Sequence, residues 1–431
     1  MSRPAQTIAA AAAAALLLGL GCANDPAGPG TASARTPLPP LHDGVLALVG
    51  VHVIPMDRPG VVERDRTVIV RDGRIETIGP IADVQVPADA RVVEGPGWLL
   101  PGLMDMHVHV HEAHMESYLR SGITTVRNMW GTPGAATLRS QVADGARLPM
   151  IFSAGPGMDG EPPFWPGTEV LVTPGAAEDA VVRQAREGWD FIKVYRALEK
   201  DVYDAIVRTA RREGIGVIGH VPFSARLDDA LTGMVSIEHL NSWDRALGGQ
   251  AGFDGWRAAD TSRARSYAEG AAARGVWNCP TMIVVSTLAQ QNLSPDAQQE
   301  VLAARQAVVR ALHRAGAPLL AGTDAGIGIT EPGSSLPQEL EHLVAAGLTP
   351  YEALRAATAD AARFLGAEDE LGTIRPGLRA DLVLLRGNPL ELVGQVRAVA
   401  GVVLRGEWIE VGTGGGGEEP GGGGEEPSGD S

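Results

Sequence analysis

The pattern of apolar and polar positions divides the chain into a central region and two flanking regions. From about residue 101 to residue 365, short apolar runs alternate with stretches of helical periodicity. This rhythm favours parallel strands joined by right-handed helical crossovers. Eight such units predict a (β/α)8 TIM barrel. The candidate strands end near His109, Arg127, Ala154, Tyr195, His220, His239, Val284 and Asp324.

Short β-branched runs on either side of this region predict a second, smaller unit. In the N-terminal part these runs alternate with turns, and the pair Asp72 and Gly73 is a typical hairpin signal. Similar runs return at 380–385 and 401–404. Two half-sets of strands that flank a large central region predict one composite β-sandwich. The predicted boundaries are 42–98 and 370–411 for the sandwich and 99–369 for the barrel.

The two ends of the chain lack the composition of a folded core. Residues 23–41 are rich in Pro, Gly, Ala, Ser and Thr and predict a flexible linker. Residues 412–431 are half glycine and predict a disordered tail. The thirteen apolar residues 8–20 are too few to cross a bilayer, but they suit the core of a signal peptide at 1–22.

Residues 18–22 resemble a bacterial lipobox, in which Cys22 would be lipidated. This pattern predicts an exported protein of the periplasm, or a lipoprotein of the outer membrane or cell surface. Plain secretion and a misread start codon are the alternatives. No other stretch is long and apolar enough to be transmembrane, so we expect membrane contact only through this anchor.

Composition narrows the expected partners. The chain is 44% apolar and 4% aromatic, which is compatible with a large α/β core. It has 36 Lys and Arg against 52 Asp and Glu, and its net charge is −16. An acidic chain without clustered cations argues against nucleic acid binding. A small-molecule substrate is expected, and a homo-oligomer is left open.

Potential metal ligands recur at the C-terminal ends of the predicted barrel strands, where TIM barrels carry their functional side chains. A single histidine at such a position is usually structural, and Asp324 alone could be a helix N-cap. Residues two apart on a strand point the same way, so His107 and His109 can face one metal. Together the set predicts a metal site. Its members are His107, His109, Lys193, His220, His239 and Asp324.

Lys193 lies in a strand that is otherwise apolar and aromatic. A buried ammonium is costly unless it is neutralised or paired. Burial lowers the pKa of a lysine and makes its amine nucleophilic. Such an amine can add carbon dioxide to form a carbamate, an anionic ligand able to bridge two cations. The alternative is a lysine that reaches solvent or pairs with an acid.

These motifs resemble those of the amidohydrolase superfamily, in the branch similar to imidazolonepropionases and to metal-dependent Xaa-Pro and Xaa-Arg dipeptidases. The resemblance covers about residues 45–410. It rests on the segments 101–109, 191–195, 219–222, 237–240, 322–324, 372–377 and 380–383.

The resemblance implies two divalent metal ions and a hydroxide that bridges them. Zinc is the expected metal, and Mn, Co or Fe suit the same ligands. Asp324 would act as general base and then as general acid. The implied ligands are His107, His109 and Asp324 for the first metal, His220 and His239 for the second, and carboxylated Lys193 between them.

The resemblance further implies hydrolysis of an amide bond in a dipeptide, an N-acyl amino acid or a cyclic amide. Imidazolonepropionases are mononuclear and lack the strand-4 lysine, so Lys193 argues against that activity. Hydrolysis of a lactone, carbamate or organophosphate at the same site is one alternative, and a non-catalytic metal-binding protein is another. Candidate substrate contacts are Arg127, Tyr195 and Trp165, although a structural ion pair is an alternative role for Arg127.

Overall fold

The computed structural model describes residues 36–412. The predicted signal peptide with Cys22, residues 23–35 of the predicted linker and residues 413–431 of the predicted tail lie outside the described residues. Within the described range, no helix is both long enough and apolar enough to cross a membrane.

Strands and α-helices alternate through most of the described chain. The strands are β1 Val45–Val53, β2 Glu63–Arg71, β3 Arg74–Pro80, β4 Arg91–Glu94, β5 Trp98–Pro101, β6 Leu103–Val108, β7 Ile123–Asn128, β8 Met150–Ser153, β9 Met158–Asp159, β10 Glu169–Val170, β11 Phe191–Val194, β12 Gly216–Gly219, β13 Ser236–Glu238, β14 Trp277–Cys279, β15 Leu382–Leu385, β16 Val399–Leu404 and β17 Glu407–Glu410. The helices are α1 Met115–Arg120, α2 Pro133–Ala143, α3 Pro174–Arg186, α4 Lys200–Glu213, α5 Leu227–Gly233, α6 Trp243–Gly248, α7 Phe253–Arg257, α8 Ala264–Arg274, α9 Met282–Asn292, α10 Pro295–Ala315, α11 Leu336–Ala345, α12 Pro350–Ala356 and α13 Ala359–Leu365.

Strands from the two ends of the chain join in one eight-stranded sheet. Its order is β17-β16-β15-β5-β1-β2-β3, and β4 pairs with β1 beside this path. The two ends meet where β15 lies antiparallel to β5. The predicted hairpin joins β2 to β3, and both Asp72 and Gly73 have positive φ, as a tight hairpin turn requires.

The central strands form two parallel sheets. One has the order β6-β7-β8, and the other has the order β10-β9-β11-β12-β13-β14. Single parallel bridges connect these sheets to each other and to the segment 319–325. They join Ala154 to Phe191, Asn278 to Leu319 and Val108 to Ala325. The result is a mixed α/β fold with TIM-barrel-like parallel strands. The carboxyl ends of these strands lie at one face.

Local sequence signals explain where several helices begin. In α2, α3, α10 and α12 the N-cap hydroxyl accepts a hydrogen bond from the backbone three residues on. A proline follows each cap, where its missing N–H costs nothing and its fixed φ suits the first turn. The pairs are Thr132 with Pro133, Thr173 with Pro174, Ser294 with Pro295 and Thr349 with Pro350.

An apolar layer fills the space between the central strands on one side of the site. Phe152, Phe191 and Ile218 from three different strands are buried there, together with Met104 and Met106. Phe364 of α13 covers this layer and stacks on Phe191 with 5.5 Å between ring centroids. The strands are therefore held from inside by close packing, which gives the polar residues at their carboxyl ends a rigid floor.

Three predictions of boundaries were wrong. The seventh strand is β14 and not a run ending near Val284, because Thr281 adopts a positive φ after Pro280 and helix α9 starts at once. Residues 99–101 pair in the terminal sheet and not in the barrel. The linker does not extend to residue 41, because the backbone and hydroxyl of Thr36 donate hydrogen bonds to the carboxylate of Asp190.

Candidate active site

Three of the predicted ligands converge at the carboxyl end of β6. Nε2 of His107 and Nε2 of His109 each lie 3.2 Å from Oδ1 of Asp324. The two histidines lie near each other because both follow the alternation of one strand, and Asp324 is brought in by the parallel bridge beside Val108. This trio is one of the groups of described residues whose donor atoms lie close enough to hold a metal ion.

Two further histidines extend the cluster along the neighbouring strands. The rings of His107 and His239 have centroids 4.5 Å apart, and those of His239 and His220 are 4.7 Å apart. His239 Nδ1 is hydrogen-bonded to Thr281 Oγ1 at 2.7 Å. This bond orients the ring so that the other nitrogen is available to a ligand.

The backbone is strained at these positions. His239, Thr281 and Asp324 all have φ between 44° and 60°, a left-handed conformation that non-glycine residues rarely adopt. Such strain persists only where surrounding structure enforces it, and it concentrates at functional sites. His239 and Thr281 follow β13 and β14, and Asp324 lies in the segment 319–325. Their side chains meet, because His239 Nδ1 lies 2.7 Å from Thr281 Oγ1 and 3.9 Å from Asp324 Oδ2.

Lys193 is buried at the centre of the same face, with 1% of its surface exposed. Burial is the main cause that lowers the pKa of its amine to about 8, although the charges of Glu238 and Asp324 act in the opposite direction. Among residues 36–412, no ion pair includes Lys193. The amine is therefore neither carried to solvent nor neutralised by a direct acid partner. The lowered pKa increases the fraction of neutral amine, which is the form that reacts as a nucleophile.

Burial also sets the charge of the other groups. It lowers the pKa of His109, His220 and His239 below the ordinary value, so these imidazoles are neutral and can bind a cation. Burial by itself would raise the pKa of Asp324, but the imidazoles of His107 and His239 outweigh it and hold that pKa well below its usual range. The site thus combines neutral nitrogens with one carboxylate.

Below the cluster lies a buried ion pair of Arg127 whose acidic partner, Glu238, we did not predict. Arg127 Nη2 donates to both oxygens of Glu238, at 3.1 and 2.9 Å, and both side chains are completely buried. His107 Nδ1 in turn donates to Glu238 Oε2 at 2.8 Å. Glu238 therefore fixes which nitrogen of His107 faces the site. The sequence signal was available, because a carboxylate inside a buried strand needs a cationic partner.

This geometry corrects the assignment of Arg127 as a substrate contact. Its guanidinium has no exposed surface and packs 4.9 Å from the ring centroid of Phe364, on the apolar side of the cluster. The alternative role, a structural ion pair, is the one that the structure supports.

A cavity of about 350 Å³ opens above the metal-ligand cluster. Trp165 and Tyr195, the other two candidate substrate contacts, lie on its wall, and Trp165 Nε1 donates to the Tyr195 hydroxyl at 3.1 Å. Their contact with a substrate stays a prediction. The cavity is mostly apolar, and its remaining lining includes Trp130, Phe164, Val284, Leu288, Ile327 and Ile329. It suits a small molecule with an apolar portion.

The fold and this cluster together define a TIM-barrel-like protein with a candidate metal centre at the carboxyl ends of its strands. The model of the Amidohydrolase family matches residues 98–409, and the chain therefore belongs to that family. This finding confirms the resemblance in its motifs. It also assigns the chain to hydrolases that act on carbon–nitrogen bonds. Members of this family generally use divalent metals.

Individual relatives are distant. An uncharacterized protein of Mycobacterium tuberculosis is 29% identical, with 78% of this chain and 90% of that protein covered. Imidazolonepropionase of Ralstonia nicotianae is 26% identical, with 80% and 92% covered. Among solved structures, bottromycin amidohydrolase has a TM-score of 0.70 at 27% identity, with 85% of this chain and 87% of that chain covered. A Xaa-Pro dipeptidase has a TM-score of 0.69 at 22% identity, with 85% and 100% covered, and this likeness concerns the fold alone.

Proposed function

We propose that the chain is a binuclear metal-dependent hydrolase that cleaves the amide bond of a small substrate, either a dipeptide or an N-acyl amino acid. The observation that carries this proposal is the convergence of His107, His109, His239 and Asp324 beside the buried Lys193. Similarity to a bottromycin amidohydrolase, whose name denotes amide chemistry, supports the same reaction class.

The residues present fit divalent cations. Nε2 of His107 is buried, and its 3.2 Å contact with Oδ1 of Asp324 does not have hydrogen-bond geometry. Such an arrangement is costly in a protein interior unless another ligand completes it. His107, His109 and Asp324 would hold one cation, and His220 and His239 would hold the second. Imidazole and carboxylate ligands suit zinc first, with Mn, Co and Fe as alternatives.

Lys193 supports the binuclear arrangement. Its amine can form a bond to the carbon of carbon dioxide and release one proton, which leaves an anionic carbamate on the side chain. That group would lie between the two sets of histidines. It would also remove the cost of a buried ammonium, which is a reason for placing a lysine in this apolar strand.

When bound, the cations would lower the pKa of a water molecule and polarise the scissile carbonyl. Asp324 accepts a proton from the attacking water and returns it to the leaving nitrogen. Glu238 and Thr281 keep the rings of His107 and His239 oriented throughout. Trp130, Trp165 and Tyr195 line the cavity above the reacting groups.

Two finer features of the prediction belong to the same proposal. We propose that the two parallel sheets and the segment 319–325 act together as an eight-stranded barrel, and the three single bridges between them support this. We also propose that the terminal sheet folds over as a sandwich. Its support is that β1 pairs with β4 through residues 46–49 and with β5 through residues 52–53. Export with lipidation at Cys22 likewise remains a proposal.

The direct test is hydrolysis. Protein lacking residues 1–22, loaded with Zn or Mn in bicarbonate buffer, is assayed against dipeptides, N-acyl amino acids and lactones. We expect release of amino acids from amides and a loss of about 100- to 10,000-fold in Asp324→Asn protein, because general acid–base catalysis is removed. Cleavage of lactones alone, or no turnover with two metals bound, would overturn the proposal of amide hydrolysis.

A further inference from the structure

Arg196 lies at the rim of the metal cavity and has no role in the proposed chemistry. It follows Tyr195 after strand β11, and its carbonyl accepts a hydrogen bond from the backbone of Phe223 at 2.8 Å. This bond ties the segment after β11 to the segment after β12. The backbone position of Arg196 is therefore fixed by the fold.

The guanidinium of Arg196 packs against two aromatic rings that also contact each other. Its Cζ lies 5.1 Å from the ring centroid of Phe164 and 5.2 Å from that of Tyr195, and its Nε lies 3.4 Å from Nδ1 of His220. Aromatic faces attract a guanidinium and restrict its motion without using its outer N–H groups. The group is thus oriented next to a candidate metal ligand.

Arg196 lacks the anion that such a group normally has. Across residues 36–412, no carboxylate forms an ion pair with it, and its two Nη atoms have no hydrogen-bond partner there. By contrast, Arg127 is paired with Glu238, and Arg245 donates to three backbone carbonyls. A half-buried, oriented guanidinium with unused donors is suited to a ligand carboxylate, which it can bind through two parallel bonds.

Two cavities meet at this arginine. The metal cavity of about 350 Å³ adjoins a second one of about 330 Å³, whose lining includes Phe253 and Trp256. Arg196, His239 and Asn241 line both cavities. A substrate with its reacting carbonyl beside His239 therefore has space on both sides, and a charged group on one side would lie at Arg196.

We infer that Arg196 binds the free carboxylate of the leaving amino acid, so that the enzyme selects N-acyl or N-aminoacyl amino acids over neutral amides. This inference rests on the proposed amide hydrolysis and narrows its substrate class.

The test uses matched substrates that differ only in this charge. Full-length, metal-loaded protein hydrolyses N-acetyl-L-phenylalanine and its carboxamide, and we expect a higher kcat/KM for the acid. Arg196→Met should lower kcat/KM for the acid about 10- to 100-fold, mainly through KM, and leave the carboxamide within about threefold. Arg196→Lys should recover part of the loss. Arg226→Met is the charge-matched control, because that side chain is 80% exposed.

Binding without turnover provides an independent readout. Calorimetry measures the Kd of N-methanesulfonyl-L-phenylalanine and of its carboxamide, neither of which is cleaved at the sulfonamide. We expect Arg196→Met to weaken only the acid, by the same factor. Equal effects on acid and carboxamide, or no effect, would overturn the inference. If wild-type protein cleaves neither substrate, hydrolysis of this N-acyl amino acid fails, and the calorimetric preference still decides the role of Arg196.

Discussion

The ion pair between Arg127 and Glu238 is the part of the site whose removal has the most predictable cost. Both side chains are completely buried, and Glu238 also accepts hydrogen bonds from His107 and Ser236. Burial by itself would raise the pKa of Glu238, but the charge of Arg127 and the hydrogen bond from His107 outweigh it and hold the pKa well below its usual range. The carboxylate therefore stays charged in the interior because Arg127 is there.

Arg127→Met removes the cation and leaves that carboxylate without its main partner. Loss of one member of a buried pair destabilises a protein by about 3–5 kcal/mol, since the remaining charge is desolvated and unpaired. The double variant Arg127→Met with Glu238→Gln carries no buried charge at this point. We expect the double variant to be more stable than the Arg127→Met single variant, although Glu238→Gln also weakens the hold on His107.

The assay is urea unfolding of the metal-free proteins, followed by tryptophan fluorescence and by circular dichroism. Arg120→Met serves as the control, because it breaks an ion pair with Glu116 that is largely exposed and should cost less than about 1 kcal/mol. Stability of Arg127→Met within about 1 kcal/mol of wild type would refute the argument, and so would a double variant less stable than the single.

Three further predictions concern the site and its support. Thr281→Val removes the hydrogen bond to His239 Nδ1, so the affinity for metal should fall about 10- to 100-fold in a competition assay with a chelator. Unchanged affinity would contradict the role of Thr281 in orienting the His239 ring. Gly219 has φ +124°, and a Cβ there would clash with the carbonyl oxygen of Val194. Gly219→Ala should therefore lower the melting temperature, and a melting temperature equal to that of wild type would show that the strand end can relax. Burial raises the pKa of Glu339 from 4.5 to about 8, so the folded protein keeps a proton that the unfolded chain releases, and stability falls as pH rises between these values. The unfolding free energy of Glu339→Gln relative to wild type should therefore increase by roughly 3 kcal/mol from about pH 5 to about pH 8, and a difference independent of pH would exclude this cause.

The convergence of the candidate ligands could be predicted from sequence because it depends on two simple periodicities. His107 and His109 are two residues apart on one strand, and parallel strands that alternate with helices bring all their carboxyl ends to one face. His220 and His239 needed only the correct assignment of the strands that precede them. The predicted fold class was the only information about long-range contacts that the prediction of these ligands used.

The remaining features depend on contacts that no local pattern encodes. Glu238 is adjacent to His239 in sequence, but its partner Arg127 is 111 residues away, and only the folded sheet brings them together. Val284 lies in a β-branched run that is typical of a strand, yet the structure places it in helix α9. Strand β14 has already ended at Cys279, and tertiary context outweighs strand propensity. Arg196 belongs to no sequence motif, and its lack of an acidic partner depends on how the segments after β11 and β12 pack.

Metal content tests the central claim most directly. Protein loaded with zinc in bicarbonate buffer and then dialysed is analysed by inductively coupled plasma mass spectrometry, beside Lys193→Met and the surface control Lys200→Met. The proposed centre predicts about two metal ions per chain for wild type and for the control, and at most about one for Lys193→Met. One or no metal in wild type, or two metals retained without Lys193, would contradict a binuclear site built around this lysine.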